Sequence, residues 1–175
     1  MAYYYLMASL PMLKSDGDMP ISYAQFLEMC KDHVSGAKYE ILKNLSIEAS
    51  DGPLVSDWAK FYEVFKAEMT YQRNQRLGKK TEKPEESDAE TAKRIAEAIK
   101  NENPLHAEEM LLFAEFEKLD ARIGTHYFDD VALMGYALKL KLLERKNMFS
   151  KESGKAELYR MVQKIEEQIL QMEQE

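Results

Sequence analysis

The chain has a single cysteine, Cys30, so no disulfide can close within it. Glycine (7) and proline (5) are scarce, which argues against a turn-dense sandwich or barrel. Histidine occurs three times, at His33, His106 and His126, which leaves little for an imidazole-rich metal site. Long apolar runs are missing as well. The opening MAYYYLMASLPML is interrupted by Pro11 and has no basic leader, so neither a membrane span nor a signal peptide is expected there. Positive charge is in deficit: 24 Lys and Arg against 31 Asp and Glu give a net charge of −7. A nucleic-acid binder needs a basic stripe to neutralise phosphates, and an anionic membrane surface repels such a chain. The expectation is a soluble, cytoplasmic protein.

What remains is helix-forming. Leu, Met, Ala, Glu, Lys and Gln dominate, while Val and Ile are comparatively sparse. The expected fold is all-α, an elongated helical bundle of about six to seven helices in one domain over 1–175. A short N-terminal strand over Tyr3 to Leu10 stays open beside a short buried helix, because periodicity cannot separate them. Ser22 with Gln25 reads as a capping box, followed by Tyr23, Phe26, Leu27 and Cys30 on one face. A short helix is expected from Lys38 to Leu45, and Asp51-Gly52-Pro53 as a turn. Ser56 or Asp57 is expected to cap a helix reaching Leu77, with Trp58, Phe61, Tyr62, Phe65 and Met69 inward and Gly78 closing it.

Residues 78–88 form a charged segment without an apolar residue, read as a solvated loop between halves. Ser87 with Glu90 suggests a second capping box, ahead of Ala92, Ile95, Ala96 and Ile99. Asn103-Pro104 starts the next helix, with Leu105, Leu112, Phe116, Leu119 and Ile123 facing inward and Gly124 ending it. From Asp129 or Asp130 to about Phe149 the apolar residues surround the helix, which predicts a central position. From Ser153 onward Leu158, Val162, Ile165, Ile169 and Met172 follow a 4, 3, 4, 3 spacing, the seam of a short coiled coil or of a helix packed on its own bundle.

Motifs of catalysis do not assemble. No two glycines have G-x-G spacing. Gly78-Lys79-Lys80-Thr81 resembles the end of a P-loop, but Arg73 stands where the first glycine belongs. No Glu-x-x-His pair exists for a di-metal bundle, so Glu108, Glu109 and Glu115 read as a solvated helix face. Cys30 with His33 at i+3 is the one nucleophile-and-base pairing, weighed against a buried apolar thiol. His126 and Asp129 form a polar cluster that a helix-capping role explains. Arg73, Asn74 and Arg76 carry two readings. They are cations favoured at a helix C-terminus, or Arg73 turns inward and needs a carboxylate, from this chain or from a partner.

Several segments taken together resemble a bacterial family of unknown function that is encoded with V-type ATPase subunits. They are Tyr4 to Leu13, Pro20-Ile21-Ser22 with Phe26-Leu27-Cys30, and Trp58 to Gly78 ending Arg73-Asn74-Gln75-Arg76-Leu77-Gly78. His126 to Asp129, Tyr136 to Leu140, Glu144-Arg145 and Gly154 complete the set. The family resembles the C-type component of rotary V/A-type ATPases, the counterpart of the d-type component in the vacuolar enzyme. That resemblance implies an all-helical, non-catalytic coupling part that links the central stalk to the membrane ring, with no cofactor and no metal. It implies other V-type ATPase subunits as partners and a place at the membrane through a protein complex rather than by insertion. This chain is shorter than that component. The candidate partner-binding residues are Arg73, Asn74, Arg76, Val162, Ile165, Ile169 and Met172. The alternatives are a self-associating helical adaptor, hence a possible homo-oligomer, or a small helical enzyme using Cys30 and His33.

Overall fold

The computed structural model describes residues 3–48, 54–148, 154 and 158–163. Seven helices form among them and no strand: α1 (Tyr4–Ser9), α2 (Tyr23–Cys30), α3 (Gly36–Lys43), α4 (Val55–Arg76), α5 (Ala89–Lys100), α6 (Pro104–Ile123) and α7 (Asp130–Met148). Residues 158–163 are also helical. The fold is an all-α helical bundle, as expected. At the amino end, where strand and helix were both open, the chain is helical: α1 buries Leu6 while Tyr3 anchors its start. The expected turn at Asp51-Gly52-Pro53 lies outside the described residues.

Local signals explain most boundaries. The capping box of α2 is complete, with Ser22 and Gln25 exchanging side-chain and backbone bonds. Asn103 caps α6, with Pro104 at its first position. Arg76 is the last helical residue of α4, and Gly78 follows at φ 69°. Its amide donates to the Gln75 carbonyl while that of Lys79 donates to Asn74, a Schellman closure that favours glycine.

Three starts differ from expectation. At α4 the cap is Leu54, at φ 67° and with no side-chain bond, so Ser56 and Asp57 fall inside the first turn. The earlier start seats Val55 fully in the core. At α5 the cap is Asp88, not Ser87. The Asp88 carboxylate takes both the amide and the hydroxyl of Thr91, at 2.8 and 2.7 Å, where a serine hydroxyl would offer a single oxygen. Helix α3 starts at Gly36, before the expected Lys38. Leu105, expected inward, is 46% exposed, whereas Leu112, Phe116 and Leu119 of the same helix are buried.

Helix α7 is the centre. Its Leu133, Met134, Ala137, Leu138, Leu140, Leu142 and Leu143 are all buried, and each such leucine contributes roughly 1.5–3 kcal/mol. It packs on α6 and α2, α6 packs on α5, and α5 on α4. Contacts between α7 and α6 pair Lys139 with Asp120 and Arg145 with Glu115, so these helices run antiparallel. Gly135 lets them close: a Cβ there would stand 2.4 Å from the Ile123 side chain.

Helices α4 and α5 run in parallel. Phe61 and Phe65 lie beside Asp88 and Thr91, while Arg76 lies beside Ile99. Residues 77–88 therefore travel back along the bundle, and their charge keeps that return path in water. The amino-terminal segment is tied to α7 as well. The Tyr136 hydroxyl donates to the Pro11 carbonyl at 2.9 Å, and Lys146 donates to the carbonyls of Ser15 and Gly17.

Candidate functional site

Two arginine environments define the chemistry of the described residues. The first is internal. Arg145 on α7 faces Glu115 on α6 in a two-pronged pair, with Nη1 to Oε1 at 2.9 Å and Nη2 to Oε2, and Nη1 also reaches the Tyr62 hydroxyl at 3.0 Å. Glu115 has no exposed surface, which corrects the reading of it as part of a solvated face. Its signal in the sequence is register. Glu115 lies three residues past Leu112 and four before Leu119, inside the apolar stripe of α6, and Arg145 follows Leu138 and Leu142 on α7. Burial pushes the Glu115 carboxyl above its ordinary value, with Arg145 pulling against it. Desolvation would lower the Arg145 pKa, and Glu115 outweighs it, so the guanidinium stays charged. A second carboxylate absent from the sequence-based candidates is Glu68, fully buried on α4. Its Oε1 accepts from Gln72 at 2.7 Å, and its Oε2 accepts no hydrogen bond among the described residues.

The second environment is the carboxyl end of α4. Arg73 and Arg76 are both exposed there, so Arg73 does not turn inward. Along α4 the register that follows Phe65 passes through Glu68 and Gln72, and Arg73 falls off the buried stripe. Arg76 donates to the Ile99 carbonyl at the end of α5. Asn74 is half-buried, and its carbonyl accepts the amides of Leu77 and Lys79. The structure thus gathers Arg73 and Arg76 on one open groove of about 580 Å³. Its apolar floor includes Ile99 and Leu111. Val162 is 43% exposed on the helical stretch 158–163, and Ile165, Ile169 and Met172 lie outside the described residues.

The candidates for catalysis separate. Cys30 is fully buried beside Tyr23 and Phe26, and desolvation pushes its thiol up to about 12. His33 is exposed, beyond the end of α2. A protonated, enclosed thiol with His33 out in water is a core residue. Asp129 caps α7, accepting the amides of Val131 and Ala132 at 3.1 Å each, and it also contacts His126 Nδ1. Desolvation alone would raise the Asp129 carboxyl, but His126 and the two amides hold it below the usual value. Asp130 is held down in the same way by Lys38 and by the Tyr3 hydroxyl, which donates at 2.7 Å. No group of three or more His, Cys, Asp or Glu side chains among the described residues could hold a metal ion. No helix among them is long and apolar enough to cross a membrane.

No family model, curated protein or solved structure matches this chain.

Proposed function

We propose that this chain is a non-catalytic coupling component of a V-type ATPase, similar to the C-type component, attached to the membrane ring or central stalk through protein contacts. The observation that carries this reading is the sequence resemblance, which runs through segments that pack into one mechanical unit. Tyr62 lies in the Trp58-to-Gly78 block and Arg145 in the His126-to-Arg145 block, and the two side chains meet over Glu115. A part that transmits force needs helices locked to one another, and the Arg145–Glu115 pair joins α7 to α6 while Tyr62 ties α4 to the same point. Arg73 and Arg76 are exposed at the far end of the same helix, with Asn74 half-buried between them.

The test is purification of the V-type ATPase from the native source under mild detergent, with an epitope tag on this chain. The reading expects the tagged chain at fixed stoichiometry with the stalk and ring proteins. A complete ATPase lacking the chain overturns it.

A second reading, a self-associating helical adaptor, is favoured by one observation: Leu158, Met161 and Val162 are 61%, 53% and 43% exposed on one helical stretch. It expects a stable dimer in solution that Ile165→Asp or Ile169→Asp dissociates, and a monomer for the unaltered chain removes it.

A further inference from the structure

Charge in this acidic chain is unevenly spread. Residues 73–83 carry five cations (Arg73, Arg76, Lys79, Lys80 and Lys83) against one carboxylate, Glu82. None of the five has an ion-pair partner among the described residues, whereas Lys38, Lys66, Arg94, Lys118, Lys139 and Arg145 each have at least one. Two of them, Arg73 and Arg76, stand beside apolar surface. Leu77 is 68% exposed at the rim of the groove, and Ala98, Ile99, Ala107 and Leu111 form its floor.

The last turns of α4 and α5 and the first turn of α6 enclose this trough, lined among others by Arg73, Arg76, Ile99, Asn101, Pro104 and Ala107. The positive end of the α6 dipole lies at this trough. The one carboxylate lining it, Glu108, also lies within the field of Arg145.

We propose that this trough is a docking site for an acidic amphipathic helix of a partner protein. Its apolar stripe would lie on Ile99 and Leu111, and its carboxylates would meet Arg73 and Arg76. The planar guanidinium forks suit paired carboxylates, and the apolar floor selects an amphipathic helix over a bare phosphate or a nucleic acid. The proposal rests on the α4 end being a partner surface and does not depend on which complex the partner belongs to. Failure to co-purify with an ATPase would leave it standing.

The experiment is fluorescence anisotropy on the full chain with two labelled 16-residue helical peptides. Both carry leucine at i, i+3, i+4 and i+7, one with glutamate on its flanks and one with lysine. The glutamate peptide is expected to bind at least about tenfold more tightly, and to lose that advantage as salt rises and screens the contacts. Arg73→Glu with Arg76→Glu is expected to reverse the preference, while Lys31→Glu, just past the end of α2, leaves it unchanged. Arg76 also bonds the Ile99 carbonyl, so Arg73→Glu alone, which breaks no bond, is the second variant. It is expected to weaken the glutamate peptide several-fold with an unaltered melting curve. Equal binding of both peptides, indifference to Arg73→Glu, or binding of phosphatidylserine vesicles with none of the glutamate peptide overturns the proposal.

Discussion

Helix α4 carries two opposite electrostatic situations along its length. Near its amino end Tyr62 helps hold Arg145, a guanidinium that burial would make very costly without Glu115 opposite it. At its carboxyl end Arg73 and Arg76 stand in water with no carboxylate partner among the described residues. The difference shows what enclosure does to the same side chain. Inside, a missing partner leaves an uncompensated charge in low dielectric. Outside, water supplies the compensation, and the arginine is free to meet another molecule.

The sharpest way to break this comparison is to remove the buried partner alone. Arg145→Met should cost about 3–5 kcal/mol in urea unfolding, because Glu115 is left enclosed and unanswered. Combining it with Glu115→Leu should recover most of that loss. A single substitution as mild as the double one would show that the pair is not truly enclosed. Leu138→Ala, in the buried core around α7, should cost roughly 2–5 kcal/mol by the same measurement.

Acid should act next. The Asp88, Asp129 and Asp130 carboxyls all sit below their ordinary value of 3.8, although desolvation opposes this in each case. Thr91 and Lys118 lower Asp88, His126 and two amides lower Asp129, and Lys38 and Tyr3 lower Asp130. Their contribution is present above the unfolded-state value and is lost as pH falls through the lower folded values. Unfolding followed by circular dichroism should therefore show stability dropping at pH below about 4, and Asp130→Asn should flatten that drop. Asp129→Ala removes the cap of α7 and should cost about 1 kcal/mol. The smallest effect belongs to the open end: Arg73→Ala should change stability by no more than about 0.5 kcal/mol. A large loss there would mean that Arg73 has a structural partner and the contrast between the two ends fails.

Much of the fold is readable from the residues. The α2 capping box, Asn103-Pro104, Gly78 and the all-round apolar α7 are short-range signals, and each appears at its expected place. The buried charge pair is half-readable. Glu115 sits in an apolar stripe and Arg145 in another, but neither position says that the two stripes face each other. The expected Ser87 cap gives way to Asp88, because both residue types can cap and only the carboxylate takes the Thr91 amide and hydroxyl together.

The sequence by itself determined the helical class, most helix ends and the apolar faces, since these follow from interactions within four or five residues. Only the tertiary structure decided that α4 and α5 run parallel, that Arg145 meets Glu115 across thirty residues, and that Arg73 and Arg76 share a trough with Ile99 and Leu111. Those outcomes depend on which stripes pack together and on how the helix ends are staggered, and both are settled by the burial of the chain as a whole.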